Sequence, residues 1–232
     1  MQFKYVESST TDPYRNLAFE EALLSFAKPD QILVFLWQNE NTVVIGRNQD
    51  VYQECKVSDL LSSGGWIARR RSGGGAVYHD LGNVNFSLIS HRTTGYGYQQ
   101  FISQAMARLS VKVVFNGRND MLTAGRKFSG NAVYMDGDRV CQHGTILVSS
   151  DIGKMAHYLT PKESKLARNH IKSVSSRVVN LCQMNKAITV DRCKRAIIEA
   201  VGAAPFQGGP CGDAVDRLEA FYRNEDWIYH GK

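Results

Sequence analysis

The chain has 232 residues and is 43% hydrophobic, enough for one large domain with a sizeable core. Charged residues make up 22%, near the globular average, which excludes wholesale disorder; 28 Lys and Arg against 22 Asp and Glu leave a net +6, which suits nucleotides, nucleic acid or acidic protein domains. Five cysteines without a Cys-x-x-Cys pair, no apolar run near the roughly 20 residues of a membrane span, and an N-terminus with neither signal core nor Arg-rich transit pattern predict a soluble, cytoplasmic protein with reduced thiols.

Residues 2–6 read as a strand. A helix follows, with Asp12 as N-cap, Pro13 at the first helical position, and Leu17, Ala18, Ala22, Leu23 and Phe26 marking the buried stripe. β-rich runs at 32–37 and 42–45 flank the Asn39-Glu40-Asn41 turn cluster, and strands at 66–70 and 76–79 flank Gly73-Gly74-Gly75. In 83–90, Val84, Phe86 and Leu88 alternate onto one face, the period of a half-buried strand. Next come a helix over 98–109, a strand over 111–115, and strands 128–134 and 140–148 joined by the hairpin signal Asp136-Gly137-Asp138. From Ile152 the pattern turns helical, at 152–158, 162–169 and 191–201, and 202–212 reads as a loop. Strands first and helices late predict an α+β domain with a mixed, largely antiparallel sheet flanked by helices. No internal repeat is present.

Three stretches carry chemistry. In Arg69-Arg70-Arg71-Ser72-Gly73-Gly74-Gly75-Ala76-Val77-Tyr78-His79-Asp80, three glycines let backbone N–H groups approach an anion, and the arginines can add bidentate contacts to phosphate or carboxylate. A bare triglycine is equally a turn with a solvated basic flank, and neither a Walker loop nor a Gly-x-Gly-x-x-Gly fingerprint is present. The second stretch joins Gly117-Arg118-Asn119-Asp120 to Gly125-Arg126-Lys127-Phe128-Ser129-Gly130-Asn131-Ala132. An inward lysine there must be paired with an anion, although an edge-strand lysine is the commoner use of such a residue. Asp120 offers hard oxygen ligation to Mg²⁺. The third, Gln142-His143-Gly144-Thr145, can present an imidazole and a hydroxyl beside a close backbone approach. Histidine spacing excludes a catalytic zinc site, and no cysteine has a nucleophile setting.

Together these stretches resemble the lipoate-protein ligase A family. The likeness runs from Asp12-Pro13 and Asn16-Leu17-Ala18-x-Glu20-Glu21 through Trp37-Gln38-Asn39 and Thr42 to Gln49, then 70–83, 117–120, 126–132, 143–147 and Ser173 to Leu181, about four fifths of the chain in order. The resemblance implies a fold shared with biotin ligases. It also implies activation of lipoic acid with ATP and Mg²⁺ to lipoyl-AMP, and transfer to a lysine of lipoyl carrier domains (2-oxoacid dehydrogenase E2 subunits, glycine cleavage H protein). By likeness, Arg70, Ser72, Gly73, Gly74, Gly75, Ala76, Val77 and Tyr78 cradle the adenylate, and Lys127 contacts the lipoate carboxylate and the α-phosphate. Asn119 and Asp120 hold adenine or the Mg-ATP phosphates; Trp37, His79, Asn83, Ser129, Gly130, His143, Gly144 and Thr145 line the pocket; 165–176 closes over it.

Typical bacterial members continue into a small C-terminal accessory domain. Here 226–232 resembles the entrance to it, so residues 1–232 are expected to be the catalytic domain alone, with the accessory domain absent from this chain or supplied as a separate one. Two rivals remain at this stage: a transferase of the same fold that uses a preformed adenylate or a carrier-bound acyl group, and a nucleic-acid binder suggested by charge alone. No helix-turn-helix, zinc or RNP-like pattern supports the second, and neither nucleic acid nor membrane is expected as a partner.

Overall fold

The computed structural model describes residues 1–117, 119–160 and 177–231. Its first elements are β1 (Gln2–Glu7) and α1 (Pro13–Leu23). Asp12 accepts from the Tyr14 and Arg15 N–H groups, and Pro13 sits where a missing N–H leaves no helical bond unmade. Next come β2 (Gln31–Trp37), β3 (Thr42–Ile45), two short helices α2 (Val51–Glu54) and α3 (Val57–Ser62), β4 (Trp66–Arg69), β5 (Val77–His79) and β6 (Asn83–His91). The middle of the chain forms α4 (Tyr98–Arg108), β7 (Val114–Asn116), β8 (Asp120–Thr123), β9 (Arg126–Asp136) and β10 (Arg139–Leu147). The remainder supplies α5 (Ile152–Tyr158), α6 (Leu181–Met184), α7 (Val190–Ala200), β11 (Ala204–Pro205), α8 (Gly212–Arg223) and a wide closing turn, Asp226–His230.

The main sheet has eight strands in the order β11-β1-β2-β6-β10-β9-β8-β7. Only the pairings of β1 with β11 and with β2 are parallel. That is the expected α+β, largely antiparallel class. A second sheet, β4-β3-β5, was not legible in the sequence; it carries the glycine loop between β4 and β5. β2 shows how the layers form. Leu33, Phe35 and Trp37 face a core shared with α1, α8 and the small sheet, while Ile32, Val34 and Leu36 face a second core under α4 and α7.

Several expectations change. β6 is buried on both faces through Ser90, not half-buried, because its polar face, Asn83, Asn85 and Ser87, is covered as well. β7 starts at Val114 rather than 111: Ser110 turns left-handed at φ 57° and Val111 N–H bonds back to the Met106 carbonyl, so these residues serve the exit from α4. The expected loop 202–212 contains β11, and α2, α3, β8 and α8 are additional elements. The expected helix at 162–169 and the closing loop at 165–176 lie outside the described residues.

Candidate functional site

Strand register aligns Trp37 on β2, Asn85 on β6, Thr145 on β10, Gly130 on β9 and Asp120 on β8 in one row across the main sheet. All five line a cavity of about 1010 Å³, large enough for a nucleotide-sized ligand with an acyl chain. The row explains why β6 has a buried polar face. Side chains alternate across a strand, so on the face opposite Val84, Phe86 and Leu88 it is Asn85 that lines the cavity, with Asn83 and Ser87 buried on either side of it.

The glycine loop forms one wall. Gly74 takes φ +95°, and a Cβ on Gly46 would collide with the Gly74 carbonyl, so the β3 exit and the loop touch backbone to backbone. The three arginines before the loop hold the protein to itself. Arg70 donates through Nε to Ser72 Oγ (3.0 Å) and through its terminal nitrogens to the carbonyls of Val44 (3.1 Å), Gly73 (2.7 Å) and Gly75 (2.8 Å). Burial pulls its pKa down to about 10, with Glu20 opposing. Arg69, 2% exposed, donates to the carbonyls of Gly46, Arg47, Gln49, Trp227 and Ile228. Arg71 forks onto Glu21 (3.0 and 3.2 Å) and lies over the Phe221 ring.

At the covered end of the row, Glu20 accepts from His143 Nδ1 (2.9 and 3.1 Å) and from Ser87 Oγ, while His143 Nε2 and Ser72 Oγ lie 2.6 Å apart. Trp37 Nε1 donates to Ser87 Oγ at 3.0 Å. Burial works against a charged Glu20, but His143 together with hydrogen bonds from His143, Ser87 and Cys141 outweighs it and holds the carboxyl below its usual range. His79 stands edge-on to Trp37. Burial first, then the charges of Arg70 and His143, push its pKa down to about 3, so its ring is neutral.

The other end is more open. Lys127 and Asp120 side chains are 35% and 42% exposed and meet at 2.7 Å. A register shift opposite Met121 and Leu122 bulges β9 at this point, a device that re-aims a side chain, and the Lys127 ammonium extends back over Gly130. Val179 N–H bonds to the Lys127 carbonyl (2.9 Å), fixing the backbone from outside the sheet. As a lone carboxylate, Asp120 fits a Mg²⁺ whose other ligands are phosphates and waters, not a cage built of protein.

The cavity brings together the expected Trp37, Arg70, Gly74, Gly75, Ala76, Val77, Tyr78, His79, Asn119, Asp120, Lys127, Ser129, Gly130, His143, Gly144 and Thr145. Ser72, Gly73 and Asn83 are not among the lining residues. Ser72 bonds to Arg70 and His143, the Gly73 carbonyl accepts from Arg70, and Asn83 bonds to Asn85. Sequence reasoning did not single out Leu17, Asn85, Arg126, Asn131, Met155 and Arg177 as lining residues. The signal for Asn85 was there: Asn83-x-Asn85-x-Ser87 is a polar row at strand period in an otherwise apolar run.

Fold and site define a small-molecule-binding α+β domain suited to an elongated ligand that carries negative charge at its exposed end. The chain belongs to the lipoyl protein ligase A/B catalytic domain family, whose model matches residues 12–202. It is 41% identical over 202 residues to lipoate-protein ligase A of Psychrobacter cryohalolentis, covering 86% of this chain; the chain spans 60% of that relative's length. Among solved structures it is similar to P. falciparum LipL1 in complex with lipoate, with 25% identity and TM-score 0.82 over 98% of this chain and 74% of the other. It also matches a bi-partite lipoate protein ligase from Thermoplasma acidophilum, solved with its E2 lipoyl domain, at 22% identity and TM-score 0.82 over 100% of this chain and 96% of the other.

Proposed function

We propose that this protein activates lipoate with ATP to lipoyl-AMP and then transfers the lipoyl group to a lysine of lipoyl carrier domains, the E2 subunits and the H protein. One observation carries the reading: a lysine ammonium, its backbone held by Val179, projects over the floor of a glycine-walled cavity where, among the described residues, its ion pair is with a half-exposed aspartate. In the first step a lipoate carboxylate oxygen attacks the α-phosphorus, the α–β bridge breaks and pyrophosphate leaves. Both reactants are anions, and Lys127 between them lowers the barrier. In the second step the neutral amine of the carrier lysine attacks the acyl carbon and AMP departs, with Lys127 polarising the carbonyl.

Asp120 would hold Mg²⁺, which supplies charge neutralisation on the phosphates when bound. Asn119 borders the same end, and the glycine loop, stiffened by Arg70, walls the adenylate. The longer Psychrobacter relative and the bi-partite Thermoplasma enzyme support an accessory unit working with this catalytic domain. The five free cysteines, and the absence among the described residues of any helix long and apolar enough to cross a membrane, support a cytoplasmic setting.

The test is pyrophosphate release from ATP with lipoate and Mg²⁺, followed by mass detection of lipoyl transfer to an apo lipoyl domain. Transfer from supplied lipoyl-AMP with no pyrophosphate release from ATP would move the assignment to an acyltransferase of this fold.

A further inference from the structure

The covered end of the cavity contains a hydrogen-bond donor with nothing to receive it. His79 is 3% exposed and lines the cavity, and its Nε2 has no partner among the described residues. Its other nitrogen is approached by two amides, Asn39 Nδ2 at 3.2 Å and Asn85 Nδ2 at 3.4 Å. The polarity of the first relay is set by atoms that can only accept. Asn16 Nδ2 donates to the carbonyls of Thr10 (3.2 Å) and Gln38 (2.9 Å) and to Asn39 Oδ1 (3.0 Å), which leaves the Asn39 amino group to face His79. Asn83 Nδ2 donates to Asn85 Oδ1 at 2.8 Å, which leaves the Asn85 amino group facing the same nitrogen. Both amino groups therefore share the one lone pair of Nδ1, with the anchored Asn39 amide the nearer donor. In a neutral ring the proton must then be on Nε2.

We propose that this fixed Nε2–H is the specificity element for the acyl tail: it donates to a sulfur of a dithiolane ring and so selects a ring-bearing acid over a straight-chain acid of similar length. The inference rests on the ligase reading above and deepens it. The spacing suits it. The Lys127 ammonium reaches over Gly130, and Asn85, the partner of His79, is two strands away along the same row, about 10 Å at ordinary strand spacing. A carboxylate at Lys127 with an extended five-carbon chain brings the ring to His79. A straight alkyl tail fills the same space but leaves the N–H without an acceptor. Nε2 is buried, so the tail reaches it by displacing the Trp37 ring, which packs T-shaped against His79.

The experiment measures kcat/KM for pyrophosphate release with lipoate and with octanoate. The wild type is expected to prefer lipoate by about 10- to 50-fold, the scale of one buried donor left unpaired or satisfied by a weak acceptor. His79→Phe should bring the two acids within about threefold, mainly by losing lipoate activity. His79→Gln, whose amide can accept from the asparagines and still donate, should keep most of the preference. Nitrogen-15 NMR of the wild-type imidazole gives a readout that needs no variant to fold: Nδ1 pyridine-like, Nε2 protonated, and Nε2 moving on titration with lipoate but not with octanoate. Equal wild-type activity on both acids, an unchanged preference in His79→Phe, or a proton on Nδ1 overturns the proposal. Should the wild type adenylate neither acid, the ligase reading falls and the titration alone decides the role of His79.

Discussion

The two ends of the cavity are built on different physical terms. At the covered end, two buried hydrogen-bonded groups, Glu20 with His143 and Ser72, and His79 with Asn85, are in place before any ligand arrives. At the open end, Lys127 and Asp120 form one ion pair, each still partly in water. A buried network is costly to disturb but sets geometry; a half-exposed pair is weak and can exchange partners at low cost. The difference teaches where selectivity and reactivity reside: shape and tautomer at the covered end, movable charge at the open one.

Breaking either end should give distinct signatures. The largest effect is expected from Lys127→Ala, which should lower adenylation by about 10³-fold or more while leaving the thermal midpoint nearly unchanged; near-normal turnover would remove the lysine from the mechanism. Glu20→Ala should leave His143 and Arg70 without their buried counter-charge and lower unfolding free energy by about 3–5 kcal/mol in urea titration. A change below ~1 kcal/mol would show the network to be dispensable.

His79 predicts a pH dependence. Its folded pKa, about 3, lies below the unfolded value near 6.5, so its contribution to stability is complete above pH ~6.5 and is lost as pH falls toward 3. The slope should reach at most ~1.4 kcal/mol per pH unit, and His79→Phe should flatten it; an identical slope in that variant would place the titration elsewhere. The smallest effect belongs to a site remote from both ends. Arg15→Ala removes exposed ion pairs to Asp216 and Glu219 and should cost under ~1 kcal/mol, with kinetics unaltered.

Much of the frame was legible in local patterns. The Asp12-Pro13 start of α1, the alternation in β6 and the Asp-Gly-Asp hairpin are short-range physics, and they appear where the pattern puts them. The triglycine and Lys127 could be read as anion-handling residues because their chemistry is rare elsewhere. What the chain could not show was direction. Arg69, Arg70 and Arg71 look alike in sequence, yet tertiary contacts turn them toward a carbonyl cage, the glycine loop and Glu21 in turn. Ser72 and Asn83 do not themselves line the cavity; Ser72 bonds to His143 and Asn83 to Asn85, which do. Such placement depends on register between strands far apart in the chain, which local periodicity does not encode.

The Arg69 guanidinium has a consequence for where this folding unit stops. The family model matches residues 12–202, yet Trp227 and Ile228, beyond it, complete the ring of carbonyls around that cation, and the Trp227 indole returns a bond to the Arg69 carbonyl. Excising the closing turn would remove two of the five carbonyls that satisfy this buried cation, directly behind the glycine loop. The cooperative unit thus includes the closing turn as much as the sheets.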